Sequence, residues 1–174
     1  MELKKHIQQL AADISSDVIG YRRHIHANPE LSFEEYNTSA YISQLLHSFG
    51  VKHETGIAGT GIVALIEGKN PSSKVIALRA DMDALPIEEK NNVPYKSTNI
   101  GVMHACGHDV HTSSLLGTAK ILSQVTDQFE GTIKLIFQPG EEKFPGGASL
   151  MIDAGVLENP APVNIMGQHV MNLI

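Results

Sequence analysis

Apolar residues recur every three or four positions at the start of the chain, at Leu3, Ile7, Leu10, Ile14 and Val18. This spacing is typical of an amphipathic helix that buries one face. Asn28 and Pro29 follow, and proline cannot continue a helix, so we expect the first helix to end there.

A second helical pattern begins near Ser32 and Glu35, whose spacing is that of a capping box. Its apolar positions are Ala40, Ile42, Leu45, Leu46 and Phe49. Gly50 stands where a glycine commonly ends a helix. The pattern therefore predicts a helix that Ser32 caps and that stops at Gly50.

Two short apolar runs then favour strands, at residues 62–66 and 75–78. Between them stand residues that form turns: Gly68, Asn70, Pro71 and Ser72. We expect two strands joined by a turn.

Helical and strand patterns alternate through the second half of the chain. The sequence predicts a helix from Asp109, as its N-cap, to about residue 122, and another over about 148–154. Strands are predicted at 132–137 and at about 163–166. Such alternation indicates a single α/β domain with a largely parallel central sheet.

Composition narrows the class of protein further. The chain has 174 residues, 42% of them hydrophobic and 18% charged, as in globular domains. A formal charge of -6 offers no basic surface for phosphates, so nucleic acid and anionic membranes are not expected partners. No apolar run is long enough to span a membrane, and the N-terminus lacks a signal-peptide core, so we expect a cytoplasmic protein.

The sequence contains a single cysteine, Cys106, which excludes a disulfide within the chain.

Chemically active side chains follow three of the predicted strands: Arg79, Asp81, Asp83, Glu141, Glu142 and His169. In open α/β sheets, ligands bind beyond the carboxyl ends of the strands. A further cluster, MHACGHDVH, precedes the predicted helix and contains His104, Cys106, His108, Asp109 and His111. We expect these groups to meet at one edge of the sheet.

Divalent metal binding explains this collection most simply, because buried carboxylates, imidazoles and a thiol without a cation would be strongly disfavoured. Cys106 and His108 are two residues apart, so in an extended loop both side chains point the same way. Glu141 and Glu142 are adjacent and point apart, which suits one metal ligand and one free base.

Each element also has an ordinary structural explanation. A lone cysteine is more often a small buried hydrophobe than a ligand. Glu141 and Glu142 could form a solvated turn, and Asp81 and Asp83 could cap one. Five histidines lie away from the cluster and are expected to be ordinary surface or core residues, although His26 could reach a site: His6, His24, His26, His47 and His53.

Five ordered motifs carry a resemblance to a known family: RRHIHANPELSFEE, LRADMDALPIEE, MHACGHDVHTSSLLGTAKIL, FQPGEEKFPGGASLMIDAGVL and GQHV. From about Tyr21 onward the chain resembles the aminoacylase and carboxypeptidase group of zinc-dependent peptidases. It is most similar to the branch with hippurate hydrolase, auxin-conjugate amidohydrolases and N-acetyl-diaminopimelate deacetylases. The resemblance implies a three-layer zinc-peptidase-like fold, with residues 1–174 as the N-terminal portion of the catalytic domain.

The resemblance also implies roles for individual residues and a pair of divalent metal ions, zinc or manganese. It assigns metal-ligand positions to Cys106, His108, Glu142 and His169, the general acid/base to Glu141, and a supporting acid to Asp83. Asp81, where wider relatives have a metal-binding histidine, joins His104 and His111 behind the metals or beside the substrate. The implied substrate is a small N-acyl amino acid or a dipeptide-like molecule.

Relatives continue past position 174 into a lid or dimerisation domain and return to the catalytic domain with one more metal-binding histidine. We therefore expect this chain alone to have little or no activity. We also expect exposed apolar strand edges, which would favour a homo-oligomer.

Two other interpretations stay open at this stage. The chain could be a non-catalytic fragment or interaction module that keeps the motifs by descent. Alternatively, Cys106 could be a redox or nucleophilic thiol, although that chemistry does not account for Glu141, Glu142 and His169.

Overall fold

The computed structural model describes residues 3–171. It contains five α-helices: α1 (Leu3–Asp13), α2 (Ser15–Ala27), α3 (Tyr36–Ser48), α4 (His108–Leu122) and α5 (Gly147–Asp153). It contains five strands: β1 (Lys52–Ile57), β2 (Gly61–Glu67), β3 (Val75–Asp81), β4 (Thr132–Gln138) and β5 (Asn164–Gly167).

The five strands form one mixed sheet in the order β1-β2-β4-β3-β5. Strands β4, β3 and β5 run parallel, with Leu78 opposite Leu135 on one side and Met166 on the other. Strands β1 and β2 form an antiparallel hairpin that pairs antiparallel with β4. The carboxyl ends of β3, β4 and β5 therefore meet at one edge of the sheet.

Helices cover both faces of the sheet, which gives three layers. On one face, α2, α3 and α4 enclose a core that includes Ile42 and Leu116 from the helices and Leu135 from β4. On the other face, Met151 of α5 packs near Ile136 of β4. Strand β4 is buried on both faces because its alternate side chains enter different cores. The predicted α/β class and three-layer fold are confirmed.

The predicted helices are present, but the first two begin or end elsewhere. The first pattern forms two helices, because the chain turns at Ile14 between α1 and α2. Ser32 does not cap α3, which begins only at Tyr36. The carboxylate of Glu30 instead accepts hydrogen bonds from the backbone N–H groups of Asn37 and Thr38.

Other boundaries differ for identifiable reasons. Strands β2 and β3 follow each other in sequence but are not neighbours, since β4 inserts between them. Strand β1 was not predicted, because its sequence, KHETGI, is mostly polar and exposed. Asp109 lies inside α4 and is not its N-cap; Gly107, with φ of 88°, precedes the helix.

Strand β5 lies at an edge of the sheet, with β3 as its neighbour, and all four of its residues are exposed. Its Ile165 and Met166 are 53% and 58% exposed. Among residues 3–171, no helix combines the length and apolarity that a bilayer crossing requires.

A cavity-forming substitution tests the core that supports α3. Ile42 is fully buried, whereas Ile100 is 96% exposed. We expect Ile42→Ala to lower the free energy of unfolding by about 2–5 kcal/mol, because it removes buried methyl groups and leaves a cavity. The matched change Ile100→Ala should cost less than about 0.5 kcal/mol. Equal losses for both variants in urea denaturation would show that this packing is wrong.

Candidate metal centre

Three loops and one helix end meet at the carboxyl edge of the parallel strands. Asp81 ends β3 and Asp83 follows it, Glu141 and Glu142 follow β4, and His169 follows β5. Helix α4 begins at this edge with His108. The sheet thus brings together side chains that are up to 88 residues apart, between 81 and 169.

His108 is the central side chain of this cluster, with only 1% of its surface exposed. Its Nδ1 lies 2.8 Å from the backbone oxygen of Asp83, which can only accept, so Nδ1 carries the proton. Its buried Nε2 has no hydrogen-bond partner within the described residues. A buried, unsatisfied nitrogen is costly unless another group binds it, and a metal ion would.

In the described part of the chain, His108 takes part in three sets of potential metal-binding atoms. Within each set the ligand atoms lie within 4.8 Å of one another, and His108 belongs to all three. The sets are Cys106 with His108 and His169, Asp81 with His108 and His111, and His108 with Glu141 and Glu142. Thiol, imidazole and carboxylate donors suit zinc and other first-row divalent ions. The residues present therefore fit a divalent metal centre.

Cys106 and His169 form one side of the cluster, with Sγ and Nε2 3.4 Å apart. Burial and the neighbouring carboxylate of Glu142 raise the pKa of the Cys106 thiol to about 11. A low-pKa thiolate is what redox and nucleophilic cysteines require, so this environment argues against that interpretation. A divalent cation at this position would reverse the effect, because its charge favours the thiolate.

Asp83 holds His108 in place from behind. Its carboxylate lies 3.2 Å from His108 Nδ1 and accepts hydrogen bonds from the Ser32 hydroxyl at 2.6 Å and the Glu142 backbone N–H at 3.0 Å. Burial acts to raise the pKa of Asp83, but these hydrogen bonds outweigh it and hold the pKa at about 2. Asp83 is therefore a permanent negative charge beside the imidazole.

Asp81 forms a second support beside the cluster. It accepts a hydrogen bond from Arg79 at 2.6 Å and lies 2.7 Å from His111 Nδ1. One of its oxygens is 3.8 Å from His108 Nε2. The other ring nitrogen of His111 accepts the backbone N–H of Val170, which anchors the segment that carries His169.

The exposed rim of the cluster consists of Glu141, Glu142 and His169. Glu142 Oε1 is 3.9 Å from His108 Nε2. Glu141 belongs to the same set of potential ligand atoms, so both glutamates lie within reach of a cation bound to His108.

His104 lies apart from these sets, although the sequence grouped it with them. It is 4% exposed, and both of its ring nitrogens are buried without a partner among the described residues. Burial lowers the pKa of His104 to about 4, so its ring is neutral. It lies near His26, with ring centroids 6.4 Å apart.

His26 belongs to a buried ionic network that the sequence did not predict. It lies 2.7 Å from Asp109 and 3.2 Å from Glu89, and Arg22 also contacts Asp109 at 2.7 Å. His26 was expected to be an ordinary histidine with some reach toward a site, and its position in the motif RRHIHANPE was the available signal. The network fixes the first turn of α4, next to His108.

The sequence of this chain is similar to those of known proteins. The sequence pattern of Peptidase family M20/M25/M40 matches residues 77–173, more than half of the chain. The chain is 50% identical over 155 residues to the N-acyl-L-amino acid amidohydrolase of Geobacillus stearothermophilus, an alignment that covers 89% of this chain and 42% of the relative. It is 47% identical over 145 residues to the N-acetyl-L-cysteine deacetylase of Bacillus subtilis, covering 83% of this chain and 34% of the relative.

A solved structure extends the comparison to the fold. The chain superposes with a TM-score of 0.84, at 42% identity, on the YXEP protein of Bacillus subtilis, a dinuclear metal-binding peptidase of the M20 family. The match covers 91% of this chain and 43% of that protein. The chain thus spans about two fifths of the length of such relatives.

The His26 network predicts a pH-dependent stability. The hydrogen bond with Asp109 raises the pKa of His26, and a second hydrogen bond, with Glu89, acts in the same direction. Burial and the positive charge of Arg22 act to lower this pKa, but they are outweighed. The neighbouring His104 is neutral. Because the folded-state pKa exceeds the unfolded value near 6.5, the stabilisation is complete below about pH 6.5 and is lost as pH rises through the folded value. We expect His26→Gln to cost about 1–3 kcal/mol at low pH and less at high pH.

The measurement is urea denaturation of metal-free protein at several pH values. His47→Gln, an exposed histidine of α3, is the matched control and should show no such trend. A constant difference between wild type and His26→Gln across the pH range would contradict the ionic network.

Proposed function

The chain belongs to peptidase family M20/M25/M40, and on that premise we propose that residues 1–174 form the N-terminal portion of a metal-dependent catalytic domain. Its reaction is hydrolysis of the amide bond of N-acyl amino acids or dipeptide-like molecules. The observation that carries this proposal is the buried Nε2 of His108, which faces thiol, imidazole and carboxylate groups without a hydrogen-bond partner in the described chain.

We assign the metal ligands to Cys106, His108, Glu142 and His169. Asp83 fixes the proton of His108 on Nδ1, so that the lone pair of Nε2 points toward the ligand cluster. Asp81 and His111 act behind the ligands, and the contact from His111 to Val170 positions His169. His104, a buried and neutral histidine near His26, acts behind the ligands or beside the substrate.

Glu141 is the general acid/base of the proposed reaction. Bound divalent ions supply Lewis-acid activation of the substrate carbonyl and make water a stronger acid. Glu141 accepts the proton of the attacking water on its carboxylate. It then donates that proton to the nitrogen of the leaving amine, which releases a carboxylic acid and an amino acid.

The same proposal extends to the metal ions, the substrate, the localisation and the oligomeric state. Either zinc or manganese suits the donor set, and we propose that this set of residues holds two such ions. The substrate is a small molecule, and the formal charge of -6 disfavours nucleic acid and anionic membranes as partners. We propose a cytoplasmic protein. The exposed apolar residues of β5 would favour a homo-oligomer.

Glu141 and Glu142 are adjacent and chemically identical, so matched substitutions test whether one is the general base and the other a metal ligand. We expect Glu142→Gln to weaken Zn²⁺ or Mn²⁺ binding by about 10-fold or more. Glu141→Gln should leave metal binding within about threefold of wild type but slow hydrolysis about 10²–10⁴-fold, because it removes only the proton-transfer group. Metal binding is measured by competition with a chromogenic chelator, and hydrolysis by amino acid release from N-acetyl amino acids.

The assay uses two forms of the protein, because activity of this chain alone is expected to be weak. One is the chain itself, and the other joins it to the C-terminal remainder of the Geobacillus stearothermophilus amidohydrolase. His47→Ala is the control for loss of a histidine outside the cluster. Metal binding without hydrolysis in either form would favour a non-catalytic module, and a chain that binds no metal would refute the proposed centre.

A further inference from the structure

Residues 30–35 form a strap across the carboxyl edge of the sheet, between α2 and α3. The sequence predicted that Ser32 and Glu35 cap a helix, but neither side chain does so. Ser32 donates to Asp83 at 2.6 Å, and the backbone oxygen of Glu30 accepts the N–H of Ala84 at 2.8 Å. The strap is thus hydrogen-bonded to the segment that follows β3, and Glu35, the last residue of the strap, contacts a different part of the sheet edge.

Glu35 is fully buried and reaches the turn that follows β4. One carboxylate oxygen accepts the backbone N–H of Gly140 at 2.8 Å, and the other accepts the hydroxyl of Thr60 at 2.6 Å. Both donors are neutral, so the two contacts satisfy the carboxylate without an ion pair. Burial of a carboxylate that pairs with no cation among the described residues is unusual and costly, and these two hydrogen bonds are what offset the cost.

Gly140 immediately precedes the two glutamates of the metal centre, Glu141 and Glu142. Its φ of 52° lies in the left-handed region, which favours glycine. A Cβ at this position would come within 2.4 Å of the Phe33 ring, so the strap packs directly against the turn. The carbonyl of Gly140 accepts the N–H of Gly147 at 2.8 Å, which closes the loop on its other side.

We infer that Glu35 is a positioning residue, whose hydrogen bond to Gly140 sets the direction in which Glu141 and Glu142 enter the metal centre. The N–H of Glu142 is bound in turn to Asp83, which Ser32 also contacts, so one strap orients both acids. The expected effect of Glu35 on metal binding rests on the proposed function. The contact between Glu35 and Gly140 stands independently of it.

Three variants of Glu35 separate the effect of side-chain length from the effect of charge. Glu35→Leu removes both acceptors, and Glu35→Asp keeps the charge but is one methylene too short to reach both donors. Glu35→Gln restores the contacts, because its oxygen can accept from Gly140 while its amide donates to the hydroxyl oxygen of Thr60. Thr60→Val is the matched control, since it removes the other hydrogen bond to Glu35 and leaves the one from Gly140.

The first readout is amide hydrogen exchange at Gly140, followed by NMR in metal-free protein. We expect exchange about tenfold faster in Glu35→Leu, because the hydrogen bond from the Gly140 N–H to the Glu35 side chain is lost. Glu35→Asp should show the same direction and replaces Glu35→Leu if the latter does not fold. Exchange in Glu35→Gln and Thr60→Val should stay close to wild type.

The second readout is the affinity for Co²⁺, followed by its visible absorption, in a double-mutant cycle with Glu142→Gln. We expect Glu35→Leu to weaken Co²⁺ binding about tenfold, as substitutions behind metal ligands do. It should have no further effect in the Glu142→Gln background, because both changes act on the same ligand. Glu35→Gln should restore the wild-type affinity.

Three results would overturn the inference. The first is that amide exchange at Gly140 is unchanged in Glu35→Leu. The second is that Glu35→Leu lowers Co²⁺ affinity by the same factor in the wild-type and Glu142→Gln backgrounds. The third is that Thr60→Val lowers Co²⁺ affinity as much as Glu35→Leu does. If wild-type protein binds no Co²⁺, the proposed function fails, and Gly140 exchange alone then decides whether Glu35 holds the turn.

Discussion

The structure depends on how a parallel sheet edge accommodates a concentration of ionisable groups. Asp81, Asp83 and His108 are each about 1% exposed, so their polar atoms lose nearly all contact with bulk water. Such burial is strongly unfavourable for each group alone, and it is tolerated only if neighbours or a cation compensate. Arg79 compensates Asp81, and hydrogen bonds from Ser32, His108 and the backbone of the turn after β4 compensate Asp83. Only Nε2 of His108 is left without a compensating partner among these atoms.

The contrast between the hydrogen-bonded carboxylates and the unpartnered Nε2 of His108 explains how the cluster is arranged. Hydrogen bonds to Asp81, Asp83 and His111 fix the sides of the cluster that face the protein, while the candidate ligand atoms converge on a small volume. The support comes from separate elements: the strap at residues 30–35, the first turn of α4, and the segment after β5. A metal ion would therefore enter a site whose ligands are already restrained, which reduces the entropy lost on binding.

The sequence was informative where chemistry and periodicity coincide. Apolar strands followed by Asp81, Glu141 and His169 predicted both an α/β sheet and a shared edge, since ligands collect at the carboxyl ends of parallel strands. The motif around Cys106 and His108 stood out because no other part of the sequence places so many ligand types in eight residues. Which glutamate binds the metal is not decided by adjacency, since both side chains can reach His108.

The parts that escaped prediction depend on tertiary contacts. Ser32 and Glu35 have the spacing of a capping box, but hydrogen bonds to Asp83 and Gly140, more than fifty residues away, outcompete the local cap. Strand β1 is polar and exposed, and only its pairing with β2 defines it. His26 carried no local signal beyond its motif, because its partners Glu89 and Asp109 are 63 and 83 residues distant.

The most direct test of the central claim is anomalous diffraction from crystals of this chain grown with zinc, collected at the zinc absorption edge. Convergence of the cluster on a cation predicts a strong peak about 2.0–2.1 Å from His108 Nε2, with the Cys106 sulfur about 2.3 Å from a zinc ion. A structure with zinc in the crystal but no peak at His108, or with its peaks only at surface histidines such as His47, would contradict the account.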